Sequence, residues 1–378
     1  MYQVKKIYDS HVHAFPTSDN LDKCVQDALD YLSFTGVKGI NILQLKGFFE
    51  ADVLGNDSVY LYLKALYPDK FSVYNGIAIG YSSIPDDAQG LAEQVQDLID
   101  AGFDGLKMIN NKSTLSSWGF EFDDARMDPM WDLLEETRFP IIWHIGNTEH
   151  WPARRVPGSE AQNKAPYNPS NEPNNDPIYS RLEHVLEKHP KLNLTIPHWL
   201  FMCENGLRLT SFMERHPNVN IDITPGSGMY YYMSQNKVFW KEFVLRYQDR
   251  LVYGTDNFMN CPVGAVELSL HIRKYLESDE TYFTPCVGHS WGFDITGLGP
   301  FSEDILDKIY WKNFERIRGG ICRVDPKKAA DYLRKEQAQI EQLSEKDAPP
   351  KCRKLVADII GRFEAITQQG TQKEKSTV

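Results

Sequence analysis

No stretch of this 378-residue chain stays apolar for anything near the ~20 residues that a membrane helix needs. Its six cysteines, at positions 24, 203, 261, 286, 322 and 352, include no C-x-x-C pair. That spacing fits reduced thiols better than a disulfide framework. Positive charge is in deficit, with 41 Lys and Arg against 52 Asp and Glu and a net charge of -11. So acidic a chain does not attract nucleic acid or anionic membranes nonspecifically, and neither is expected as a partner. Low-complexity tracts are missing as well. At 42% hydrophobic and 25% charged residues the composition is that of a folded globular protein, long enough for one large core or two ordinary ones. Met1 to Lys6 lack the apolar core of a signal peptide, so a cytoplasmic location is expected.

What the chain does have is a repeated alternation of strand-like and helix-like segments. Strands are predicted over residues 7–14, 37–45, 71–80, 103–109, 140–145, 192–197, 219–224 and 251–255. Helices are predicted between and after them, over 21–34, 57–67, 85–101, 128–138, 176–189, 204–216, 238–247 and 263–276. Eight such units over this length predict an α/β fold, a (β/α)8 TIM barrel. An internal echo supports it. Leu186-Glu187-Lys188-His189-Pro190 and Met213-Glu214-Arg215-His216-Pro217 both read as a helix end, a proline stop and a new strand. His189 and His216 therefore read as helix C-terminal residues.

Two stretches break the rhythm. Residues 147–177 hold six prolines, and a connection that long after strand five reads as a lid over the C-terminal face. Residues 284–300 read as a second lid. Past the barrel, taken as 1–318, come helices over 326–344 and 351–367 and a polar tail. This appendage, 319–378, is expected to pack on the barrel or on a partner subunit, and a homodimer is one arrangement it allows.

The chemistry gathers at strand ends, where barrel enzymes keep theirs. Strand one ends in Asp9-Ser10-His11-Val12-His13, and alternation puts both histidines on one face. Alone, His-x-His is as easily one core and one surface histidine. Strand five ends in Trp143-His144, strand six in Pro197-His198, and strand eight in Gly254-Thr255-Asp256. Each has an ordinary reading as buried polar residue, turn residue or helix cap, but all four at one depth point to a metal site.

This set resembles the amidohydrolase superfamily, in the amidohydrolase-related branch that includes aminocarboxymuconate-semialdehyde decarboxylase. The resemblance spans about residues 7 to 318. It includes the helix 305–317, where Lys312-Asn313-Phe314 departs by placing Phe where a small residue is usual. It implies one divalent metal, zinc first among candidates, on His11, His13, His144 and Asp256, with His198 as an acid/base or electrophilic group. Zinc with an open position activates water, and Asp256 could carry that water's proton. Asp9 reads as structural. Lys107, near the end of strand four, reads as a substrate-carboxylate or structural residue, with a bridge between two metals as the lesser alternative. Arg154 and Arg155, with His150 and Trp151, could clamp an anionic or ring-shaped substrate, or simply solvate the loop. The expected activity is hydrolysis of a small carboxylated lactone, amide or ring compound. Non-oxidative decarboxylation of a ring or unsaturated acid is the alternative.

Overall fold

The computed structural model describes residues 6–46, 54–77, 88–110, 121–146, 175–225, 228–284, 293–345 and 348–376. Strands β1 (Tyr8–His13), β2 (Gly39–Leu43), β3 (Phe71–Asn75), β4 (Gly105–Asn110), β5 (Ile141–Ile145), β6 (Leu194–Ile196) and β7 (Asn220–Asp222) pair in chain order, all parallel. β8 (Leu251–Val252) joins β7, and β9 (Asn257–Phe258) joins β1 from its other side. The Ser10 N–H donates to the Tyr253 carbonyl at 3.1 Å and closes the ring. The fold is the expected (β/α)8 barrel.

The eighth strand departs from expectation. It is not continuous over 251–255 but broken between β8 and β9, because the Asp9 side chain takes the Thr255 backbone N–H that a ladder would use. Asp9 accepts from the Thr255 N–H at 3.0 Å and from the Thr255 hydroxyl at 2.6 Å. Asp256 then turns with φ 55.

Helices α1 (Leu21–Thr35), α2 (Asn56–Leu66), α3 (Ala88–Ala101), α4 (Asp128–Thr137), α5 (Asp176–Lys188), α6 (Gly206–Arg215), α7 (Met229–Ser234), α8 (Lys237–Tyr247) and α9 (Pro262–Glu277) alternate with the strands. Their limits follow from capping. Asn20 accepts from the Lys23 N–H, and Gly36, at φ 73, ends α1 in the left-handed conformation that glycine adopts without penalty. His189 and His216 cap the C-termini of α5 and α6, as the echo predicts. The short α7 is an addition that the sequence reading passes over. The flanks of the second supposed lid form an antiparallel pair, β10 (Thr281–Thr284) with β11 (Phe293–Thr296), while 285–292 lie outside the described residues. Of the first supposed lid, 147–174 lie outside them too.

After α10 (Glu303–Asp307) and a π-helical turn, α11 (Asn313–Arg318) packs on the barrel. Asn313 donates to the carbonyls of Gln248 and Leu251 and so holds the start of β8. Phe314, the departure from the family pattern, stacks on Tyr8 with centroids 5.0 Å apart and shares a small core with Tyr74 and Ile142. The C-terminal α12 (Pro326–Ile340) and α13 (Pro350–Ser376) pack against each other and against α3 and α2. Their buried Leu333, Ile340, Val356, Ile359 and Phe363 join the main core. Among the described residues no helix is long and apolar enough to cross a membrane.

Each of those five side chains contributes about 1.5–3 kcal/mol by burial. Their sum is comparable with the ~5–15 kcal/mol net stability of a typical domain. A chain ended at Arg318 should therefore show no cooperative thermal transition and should elute as aggregate. A sharp melt from that truncated chain would contradict this packing account.

Candidate metal centre

β1 carries an irregularity. Asp9 pairs with Ile40 and Val12 with Ile42, so three steps on β1 oppose two on β2. A bulge of this kind bends a strand and re-aims its side chains. The His11 and His13 rings stand 5.3 Å apart. Both direct Nε2 at one oxygen, Asp256 Oδ1, at 3.2 Å from His11 and 3.3 Å from His13. Asp256 arrives through the break in strand eight, with its N–H donating to the His11 carbonyl at 2.9 Å. The ligand atoms of His11, His13 and Asp256 all lie within 4.8 Å of one another.

The far nitrogens of both rings are also engaged. His11 Nδ1 meets Asp222 Oδ2 at 2.6 Å, and His13 Nδ1 meets the Leu43 carbonyl at 3.2 Å. Asp222 is fully buried and is held in turn by the Thr224 N–H at 2.9 Å. Acceptors behind metal-binding histidines fix the ring and point the remaining lone pair forward.

The electrostatics reinforce this. Burial pushes the His13 imidazole down to about 4, leaving it neutral with a single proton. Yet it faces an acceptor at each nitrogen, so one contact has no proton in it. Burial and Lys107 oppose a charge on His11, but Asp256 and Asp222 prevail and raise it. Burial works against the Asp256 carboxylate too, but His11, with His13 and His198, holds it well below the usual range. The four contacts that the two rings make thus have one proton too few, and at Asp256 they bring two imidazole nitrogens and a carboxylate oxygen together in a donor set that could hold a divalent cation.

The other candidates take different places. His198 Nε2 is 3.6 Å from Asp256 Oδ2, and burial keeps its ring neutral. The Thr224 hydroxyl accepts from the His198 N–H at 3.3 Å and lies 2.9 Å from its Nδ1. With Thr224 donating into Nδ1, the assigned tautomer carries its proton on Nε2, toward Asp256. Lys107 is buried with Nζ 3.5 Å from His11 Nε2. His144 is not in the convergent group. Its Nε2 meets the Gly146 carbonyl at 3.2 Å, and its ring packs on His198 at 4.9 Å. Burial and then Lys107 push it down to about 3. Asp9 bonds Thr255 and the His11 N–H, a structural placement. Trp151, Arg154 and Arg155 lie outside the described residues.

Sequence reasoning missed Asp222, Thr224 and Phe201. Asp222 had a signal, being a lone carboxylate within the predicted strand 219–224. Phe201 had none. It follows His198 through four consecutive residues with φ 58, 52, 51 and 52, a left-handed turn without glycine. Such a turn costs roughly 1–2 kcal/mol per residue. Buried anchors hold it: Trp199 packs on Trp240, and the Tyr179 hydroxyl donates to the Leu200 carbonyl at 2.7 Å. The turn stacks Phe201 on His198 at 5.1 Å and sets it 5.2 Å from His144.

Gly254 threads between the parts of the centre. A Cβ there would lie 2.7 Å from the His11 Cβ and 2.8 Å from both Asp222 Oδ1 and Thr224 Cγ2. Gly254→Ala is predicted to cost about 1–3 kcal/mol in denaturant unfolding by overpacking. It should also weaken metal binding, measured by calorimetric titration. Wild-type affinity and stability in that variant would show that the close approach is not needed.

The chain matches the amidohydrolase family model over residues 72–319. That span begins after the His11–His13 pair. No curated protein matches the sequence. Among solved structures, an uncharacterized TIM-barrel protein from Bordetella bronchiseptica aligns at 15% identity and TM-score 0.54, covering 83% of this chain and 99% of its own. A structure described as an amidohydrolase II aligns at 13% identity and TM-score 0.51, covering 83% and 100%. A 2,6-dihydroxybenzoate decarboxylase from Rhizobium aligns at 15% identity and TM-score 0.48, covering 83% and 99%. With two thirds of its length under the family model and the strand order of that fold, the chain belongs to the amidohydrolase family.

Proposed function

We propose that this protein is a metal-dependent hydrolase of small carboxylated lactones, amides or ring compounds, holding one divalent ion per chain, with zinc the first choice. The observation that carries the reading is the convergence of His11 Nε2, His13 Nε2 and Asp256 Oδ1 within 4.8 Å of one another, the neutral His13 ring having one proton for two acceptors. Two imidazoles and a carboxylate are a donor set that suits zinc. His144 is the candidate fourth ligand, and to serve it gives up its bond to Gly146. Such an ion supplies Lewis acidity, polarising a substrate oxygen and acidifying water.

The chain's own groups do the rest. Asp256 Oδ1 is engaged by the two histidines, which leaves Oδ2 as the oxygen that takes and returns a proton. His198, neutral and carrying its proton on Nε2, donates to charge that develops beside Asp256. Lys107 is a buried cation next to His11 and would pair with a substrate carboxylate. The partly exposed rings of His144 and Phe201 offer a wall for a ring-bearing substrate. Arg154, Arg155 and Trp151 would complete the anion clamp.

Lys107 also favours a second reading, decarboxylation at the same site. A carboxylate fixed beside the centre could leave as carbon dioxide, with a proton returned in its place. A panel of carboxylated lactones, amides and aromatic acids, scored for acid release against carbon dioxide release, decides between them. Acid release supports the hydrolase, carbon dioxide supports the alternative, and neither from a metal-loaded protein counts against both.

Variants assign the roles. His11→Ala, His13→Ala and Asp256→Ala should come out depleted of metal by elemental analysis. His198→Ala should keep its metal and lose about 10²–10⁴-fold in kcat. Asp222→Asn should weaken metal affinity about 10–100-fold, because it loosens the acceptor behind His11. A metal-free His198→Ala protein would make His198 a ligand and overturn these assignments.

A further inference from the structure

Glu336 is an acid buried on α12, only 3% exposed, where α12 meets the C-terminal ends of β2 and β3. Lys46, just past β2, donates to Glu336 Oε1 at 2.9 Å and to the Tyr332 hydroxyl at 2.8 Å. It also lies 3.4 Å from Asp57 Oδ2. Asp57, in the first turn of α2, accepts at that same oxygen from the Tyr332 hydroxyl, at 2.8 Å, and from Asn75. Glu336 Oε2 and Asp57 Oδ1 are buried and meet no donor among the described residues. The two carboxyl groups thus flank one ammonium, Lys46 Nζ, which reaches an oxygen of each.

If both were ionised, two negative charges would face one lysine without water, and each would leave an oxygen unsatisfied. One proton held by the pair removes one of the two charges and gives the buried carboxyls a donor of their own. We propose that Glu336 and Asp57 share a proton, and that this shared proton fastens the C-terminal helices to the end of β2 on the catalytic face. The clasp bears on the metal centre through positioning. Lys46 lies two residues beyond Gln44, whose amide donates to the Ala14 carbonyl at 2.9 Å. Gln44 follows Leu43, whose carbonyl orients His13.

The clasp opens with rising pH. Burial and then Asp57 push the Glu336 carboxyl up to about 8. Asp57 is buried too, but Lys46 and its hydrogen bonds hold it below the usual range. The folded chain thus keeps a proton that the unfolded chain releases near pH 4.3 (about the free glutamate value). This contribution is full below that pH and is lost as pH rises through about 8. The other elements packed on α12 do not replace it. From α13, burial pushes the Cys352 thiol up to about 11 and Lys351 bonds the Pro16 carbonyl. From α3, Asp97 and Asp100 pair with Lys335 and Lys328 at the surface. The Tyr332 hydroxyl stays neutral, raised well above its usual range by burial and both acids.

The test is hydrogen–deuterium exchange of the full chain from about pH 6 to pH 9, corrected for intrinsic rates. Peptides covering 39–46 and 326–340 are read in the wild type, Glu336→Gln and Asp57→Asn. In the wild type both segments should lose up to about a hundredfold in protection across that window. Glu336→Gln keeps the hydrogen bonds of the protonated acid and cannot ionise, so its protection should stay flat. Asp57→Asn removes the second charge and should flatten it too, which keeps the test alive if one variant folds poorly. Wild-type pH dependence surviving in both variants, or a loosened α12 with no change in 39–46, overturns the proposal.

Discussion

The structure depends on one constraint, which is that Asp256 must reach two histidines on the neighbouring strand. A continuous eighth strand would carry its side chains past them. Instead Asp9 takes the Thr255 donors, the strand breaks, and Asp256 turns through a left-handed φ to meet His11 and His13. Closure of the barrel and assembly of the centre are therefore one event. Ser10 bonds Tyr253 on one side of the break, and Val12 pairs with Asn257 on the other. Asp9 is buried where it does this, and burial pushes its carboxyl up to about 7. It serves as an acceptor hub at the joint between first and last strands.

Much of this was legible in the sequence, for physical reasons that can be named. Parallel strands and their covering helices leave strong periodicity and capping marks, so α1 could be bounded from its leucines and Gly36. Strand ends carrying His11, His13, His198 and Asp256 could be picked out because a barrel brings strand ends to one face. Asp222 is in equal reach of that argument, but it stands behind His11 and not at the point of convergence. The two-part eighth strand was not legible, because it follows from a side chain 246 residues away in the sequence. His144 illustrates the same gap. The strand end is where the sequence put it, but ring direction depends on a carbonyl at Gly146.

The left-handed turn at His198–Phe201 goes against propensity outright, since none of its four residues is glycine. Local cost of that size persists where surrounding packing over-determines it, and such places cluster at functional sites. Here the packing is Trp199 with Trp240 beneath, and the outcome is a histidine and a phenylalanine stacked at the rim of the centre. The C-terminal helices play a comparable part on the opposite side. They extend the main core and bring Tyr332 and Glu336 to the end of β2. The chain past residue 318 thus reaches the C-terminal end of β2 as well as the main core.

The central claim is that His11, His13 and Asp256 hold one divalent ion through two imidazole nitrogens and a carboxylate oxygen. X-ray absorption spectroscopy of the protein loaded with a single equivalent of zinc tests it most directly. The account predicts a mononuclear shell with imidazole scattering and zinc–nitrogen distances of about 2.0–2.1 Å, and loss of part of the imidazole signal in His13→Ala. A shell built from oxygen alone, or one unchanged in His13→Ala, would contradict it.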